Sequence, residues 1–128
     1  MTVRPRRERG AAAVDFTLVS VLLVAIFLVV LQLGLALHAR NILIASASEG
    51  ARLGARADAQ QGEASARTRS LVAASLSSAY AERVSERRTS VGGVDVVEVR
   101  VVAPVPVLGL LGPTDRLDVV GRAFAERQ

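Results

Sequence analysis

The chain has 128 residues, 51% of them hydrophobic, with no Cys, one His and three Phe. Sixteen basic residues, all Arg, face twelve acidic ones for a formal charge of +4. That length allows one small domain beyond any membrane segment, and the lack of Cys excludes disulfides, thiolate metal sites and cysteine nucleophiles. The basicity is local: Arg4, Arg6, Arg7 and Arg9 crowd the first ten residues against Glu8 alone, while Arg alternates with Asp and Glu elsewhere. With so few aromatics for base stacking, the charge does not describe a nucleic-acid face.

Residues 1–10, MTVRPRRERG, are polar and basic and hold Pro5, a pattern expected to be flexible. Arginines beside a membrane span are retained on the cytoplasmic side, which predicts an inside N-terminus and an exported remainder. Gly10, Ala11, Ala12, Ala13 and Val14 then lead to Asp15 and Phe16. Small residues here let an extended chain enter a narrow protease groove. Asp15 sits at the inner edge of the apolar run, either as an interfacial group reaching water or as a buried charge with a partner.

From Phe16 to Leu37 no residue is charged, and only Thr17, Ser20 and Gln32 are polar. A helix of that length reaches roughly 33 Å, enough to cross a hydrocarbon core of about 30 Å. The run is apolar all round, unlike the one-sided stripe of a soluble helix, and the remainder is too short to bury it. A transmembrane helix is predicted. The run exceeds the 7–15 apolar residues usual in a secretory signal, which favours an anchor over a removed signal peptide.

The helix is expected to continue from His38 to Ala57, with Ala45, Ala47, Gly50, Ala51 and Gly54 making one side thin. Gly50 and Gly54 form a small-xxx-small pair that lets another helix approach closely, and both are expected to serve assembly, so that Gly50→Leu or Gly54→Leu would block association while leaving membrane insertion unchanged. His38 has no companion ligands and reads as interfacial. Asp58–Glu63 reads as a break. Val72, Leu76, Tyr80 and Val84 recur every four residues and predict an amphipathic helix over Ser65–Arg88, with Glu82, Arg83, Glu86 and Arg87 on its wet side.

Gly92-Gly93 marks a turn. Val94–Val102 is dense in β-branched residues, with Val97, Val99 and Val101 opposite Glu98 and Arg100, and predicts a strand ended by Pro104 and Pro106. The apolar loop 104–113 is either a lid on the core or a contact with a partner or the outer leaflet. Arg116–Glu126 alternates again, with Leu117, Val119, Gly121, Ala123 and Ala125 on one face, and predicts an antiparallel partner strand. The expected fold is α+β: a long N-terminal transmembrane helix, a second amphipathic helix and a small antiparallel sheet. The domains are a basic cytoplasmic leader (1–10), the span with its extracytoplasmic extension (11–57) and a small exported domain (58–128). Catalytic, phosphate-binding and metal-ligand patterns do not stand out, so neither an enzyme nor a cofactor is expected.

These residues carry a resemblance. RGAAAVDF, the long apolar helix and HARNILIASASEGARLGARA resemble the TadE-like family of the tight-adherence (Flp) pilus system, whose members are pseudopilins or minor pilins. The matching positions are Arg9, Gly10, Asp15, Phe16, His38, Ala39, Arg40, Asn41, Glu49, Gly50, Ala51 and Arg52. The Val-rich strand, the Pro/Leu-rich loop and the last strand are also similar, whereas Asp58–Arg88 resembles the family weakly. The family usually carries Glu where this chain has Asp15. The resemblance implies cleavage between Gly10 and Ala11 by a prepilin-type peptidase, assembly through Asp15 and Phe16, and pilin or TadE/TadF-like subunits and a pilus assembly platform as partners. Asp15 would then pair with the new α-amino group of a neighbouring subunit. The alternative is an uncleaved single-pass protein whose exported domain binds an envelope partner.

Overall fold

The computed structural model describes residues 6–106 and 116–125. A helix α1 (Arg6–Gly54) is followed by helix α2 (Glu63–Ser75), a 3-10 turn (Ser78–Ala81) and three strands, β1 (Arg83–Val91), β2 (Val94–Pro104) and β3 (Arg116–Phe124). The fold is α+β, as expected. Residue contacts divide the chain into two compact units, Met1–Gly34 and Leu35–Gln128.

In the first unit, α1 is a single helix whose large apolar side chains, from Val14 through Leu33, stand exposed. It is long and apolar enough to cross a membrane. Thr17 satisfies its hydroxyl by donating to the Ala13 carbonyl one turn back, at 2.8 Å, so it places no unbonded polar group in the apolar run. The helix already includes Arg6–Gly10. The flexible reading of the leader is thereby corrected from residue 6 on: Arg, Glu and Ala are good helix formers, and Gly10 does not outweigh them. Residues 1–5 lie outside the described residues.

In the second unit the sheet order is β1-β2-β3, antiparallel throughout. Val91 pairs with Val94 across Gly92 and Gly93, both at positive φ (61° and 78°), as a two-residue hairpin turn requires. The predicted β2–β3 pairing holds, with Val99 opposite Gly121 and Val101 opposite Val119. Alternation sorts the faces. Val97, Val99, Val101 and Val119 are buried beneath the helices, joined by Leu43, Ala47, Ala51 and Ala55 from the α1 end and by Ala64 and Val72 of α2.

The second predicted helix is the main correction. It spans Glu63–Ser75 rather than Ser65–Arg88, and Arg83–Val91 is a strand that makes the sheet three-stranded. Val72, Leu76, Tyr80 and Val84 all reach the core, but from a helix, its cap, a 3-10 turn and a strand. The period of four therefore marked burial and misled on path. Ser77 and Ser78 compete poorly as helix interior, while the tight Gly92-Gly93 turn returns the preceding segment onto β2. The apolar loop 104–113 lies outside the described residues from 107 on, as does Glu126.

Candidate functional site

Each residue singled out near the N-terminus lies on α1. Gly10, Ala11, Asp15 and Phe16 are exposed, Phe16 at 75%. A side chain added at Gly10 would meet nothing within 4 Å. Asp15 has apolar neighbours one turn away on its own helix, Ala11 and Ala12 behind and Leu18 and Val19 ahead. Among the described residues it has no ion-pair partner. Ala11 precedes Asp15 by four residues, so its backbone nitrogen lies one helical turn from the carboxylate-bearing residue.

Gly50 and Gly54 do admit another helix, and in this structure the helix is α2 of the same chain. A Cβ at Gly50 would collide with Thr68 Oγ1 and lie 2.6 Å from the Ala64 carbonyl oxygen. At Gly54 it would lie 2.6 Å from the Ala64 methyl and 3.3 Å from Val97 Cγ1. The fully buried Thr68 hydroxyl donates to the Ala64 carbonyl at 2.8 Å and faces the Ser46 carbonyl at 3.4 Å. Gly121 brings the sheet equally close, because a Cβ there would run into the α1 backbone at Ala47 and Ser48.

Strand β1 ties down both helix ends. The Glu86 carboxylate accepts from the Gly62 and Ser65 N–H groups, each at 3.0 Å, and so caps the N-terminus of α2 where the helix dipole favours an anion. Arg88 Nη2 donates to the Gly54 carbonyl at 3.2 Å and to the Ala59 carbonyl at 3.3 Å, covering the C-terminus of α1. Arg69 on α2 donates to the Val84 carbonyl at 2.8 Å. Sequence reasoning missed Thr68, Glu86 and Arg88, and it placed Gly121 on the inner face without its contact to α1. Their partners are 22 to 34 residues away in most of these bonds, so no local pattern announces them.

The outer face of the sheet carries cross-strand charge. Glu98 accepts from Arg122 Nε at 2.8 Å and from Arg87 Nη2 at 3.1 Å. Arg100 holds Asp118 through two nitrogens, Nε donating at 2.8 Å. The Arg122 hydrogen bond, aided by charge attraction to both arginines, holds the Glu98 carboxyl below the usual carboxylate value against a desolvation that opposes it. The Arg100 hydrogen bond lowers Asp118 likewise, and Asp118 raises the Arg100 guanidinium. Among the described residues no three His, Cys, Asp or Glu side chains gather as a metal site.

The segment that holds Gly10, Asp15, the apolar run and Gly50 also decides the comparison. Residues 10–52 match the family model of TadE-like protein. The resemblance read from Gly10 to Arg52 is borne out over that stretch. Neither curated proteins nor solved structures return a match. The TadE-like segment relates the chain to the tight-adherence pilus, whose TadE-like members are structural proteins, and with the exposed apolar helix it supports membrane association.

Proposed function

We propose that this chain is a TadE-like pseudopilin or minor pilin, a structural component of tight-adherence pilus assembly or of a related surface secretion system. The observation that carries the reading is the family match over residues 10–52, which starts at the glycine of the expected cleavage site and covers the whole apolar run. The N-terminus lies in the cytoplasm and the second unit outside, following the arginines that precede the span. A prepilin-type peptidase cuts between Gly10 and Ala11. Gly10 suits that bond twice over: it has no Cβ to crowd the groove, and it lowers the local cost of unwinding a helix by about 1 kcal/mol relative to Ala.

Cleavage leaves an α-amino group at Ala11, one turn from Asp15. In a bundle of α1 helices, a buried Asp15 carboxylate is stabilised by the α-amino group of the neighbouring subunit, with Phe16 packed beside it. Other pilin or TadE/TadF-like subunits and a pilus assembly platform are the partners this requires.

The test is the mass and N-terminal sequence of membrane-purified protein from cells with an active peptidase. The expected product starts at Ala11, and Gly10→Leu leaves a full-length precursor in the membrane. Asp15→Asn is cleaved but fails to assemble, whereas Asp15→Glu assembles. Uncleaved wild-type protein beside an active peptidase overturns the pseudopilin reading in favour of a single-pass anchor with a partner-binding domain. Normal assembly of Asp15→Asn removes the ion pair and leaves the processing step standing.

A further inference from the structure

The apolar run of α1 carries three polar side chains, Thr17, Ser20 and Gln32, and they do not stand in equivalent positions. In a helix each Cα–Cβ bond tilts toward the N-terminus. Thr17 and Ser20 lie within about 6 Å of the Phe16 end, so they lean toward the nearer border of the hydrocarbon. Thr17 is also satisfied locally through the Ala13 carbonyl. Gln32 lies about 8 Å inside the other end, at Leu37, and the same tilt directs it away from that border toward the middle of the bilayer. Its amide offers two N–H donors and a carbonyl acceptor, yet makes no hydrogen bond among the described residues. In hydrocarbon no water completes those bonds, so the group needs a polar partner at its own depth.

Its side of the helix has room for one. At about 100° per residue, Ala25 and Leu28 share the stripe of Gln32, whereas Leu23, Phe27 and Val30 lie on the opposite side. Ala25 is the one alanine between Phe16 and Gln32, and it stands about two turns before the amide. A second helix therefore comes close there without meeting a long side chain.

Equal depth identifies that helix. A copy of this chain inserts with the same topology and brings its own Gln32 to the same level. Two primary amides then satisfy each other, each N–H donating to the other carbonyl. A different span would have to carry a polar group at that one level of an apolar helix. Asp15 projects about 100° away around α1, so the contact is separate from any made by that carboxylate.

We propose that α1 pairs in the membrane with a second copy of itself through reciprocal Gln32–Gln32 hydrogen bonds, packed at Ala25 and Leu28. The pair forms in the precursor and the processed chain alike, so it is independent of cleavage after Gly10.

The experiment reconstitutes the full chain, purified without peptidase, in phosphatidylcholine–phosphatidylglycerol vesicles. The chain has no Cys, so a single introduced one reports alone. With donor or acceptor dye on Gln128→Cys, energy transfer above that of randomly mixed monomers is expected to rise with the protein-to-lipid ratio. Gln32→Leu should weaken this association about three- to tenfold, while Gln32→Asn, which keeps the amide, retains most of it. Thr17→Val removes a hydroxyl already bonded within the helix and should match wild type. Copper-phenanthroline oxidation should cross-link Ala25→Cys and Leu28→Cys and spare Leu23→Cys and Val30→Cys. Flotation with the vesicles checks that each variant is inserted. Wild-type association by Gln32→Leu overturns the proposal, as does cross-linking centred on the Leu23 side. So does a wild-type chain whose energy transfer never exceeds that of random mixing.

Discussion

The close approach of α1 to α2 at Gly54 yields a quantitative test of the packing. In Gly54→Ala the new methyl starts 2.6 Å from the Ala64 methyl, where carbon atoms prefer about 3.5–4.0 Å. The helices must part by about 1 Å, and overpacking of this kind typically destabilises by about 1–3 kcal/mol. Better helix propensity returns less than about 1 kcal/mol, because Gly54 is the last residue of α1. A net loss of about 1–2 kcal/mol is expected. Ala64→Gly alone costs a similar amount, through a lost buried methyl and a weaker helix. Combined, the collision disappears: the next atoms are Val97 Cγ1 at 3.3 Å and Ala64 Cα at 3.5 Å. The double variant should therefore be more stable than the sum of the singles by about 1–2 kcal/mol. Urea unfolding of the full chain in micelles measures it through the fluorescence of Tyr80, the single Tyr, which packs against the core. Gly34→Ala, where the added methyl meets nothing within 4 Å, is the control. Additivity of Gly54→Ala and Ala64→Gly within about 0.3 kcal/mol would refute intrachain packing at this contact.

Glu86→Ala strips the acceptor from the Gly62 and Ser65 N–H groups and should lower stability by about 1–2 kcal/mol in the same urea titration, with Glu86→Gln intermediate. Glu98 and Asp118 have carboxyls held below their usual range, so their contribution is present above the unfolded value near pH 4 and is lost as pH falls through the lower folded values. The thermal midpoint should accordingly hold between neutral pH and about 5 and fall below about 4, modestly because these pairs are exposed; Glu98→Gln with Asp118→Asn should flatten that limb. Alkaline phosphatase fused after Gln128 should be active, and an inactive fusion on a stably expressed chain would reverse the orientation.

The long helix and the two later strands were legible because their signals are local and unambiguous: an uncharged run in one case, Val alternation bounded by Gly and Pro in the other. The paired faces of β2 and β3 follow from that alternation alone. Arg83–Val91 was not legible as a strand, since RVSERRTSV carries few β-branched residues and Val84 continued a helical spacing begun at Val72. Its strand state depends on β2 being available across Gly92-Gly93. At the site, the thinness of the Gly50–Gly54 side was readable as an invitation to a helix. Which helix accepts it was not, because the complementary surface, Ala64 and Thr68, looks like any small-residue stretch until the intervening turn brings it back.

The seat that Gly121 provides for Ala47 bears on how the chain is made. α1 is synthesised first, and its small-residue side stays uncovered until α2 follows. Its contact with β3 forms only after α2, β1 and β2 have been delivered. Gly50 and Gly54 are open to any passing helix, from another nascent copy as readily as from α2, until α2 arrives, whereas the α1 backbone at Ala47 and Ser48 waits for Gly121. A product truncated before Arg116 thus keeps α1 and α2 but lacks the Gly121 seat, and leaves the α1 backbone at Ala47 and Ser48 open to its neighbours.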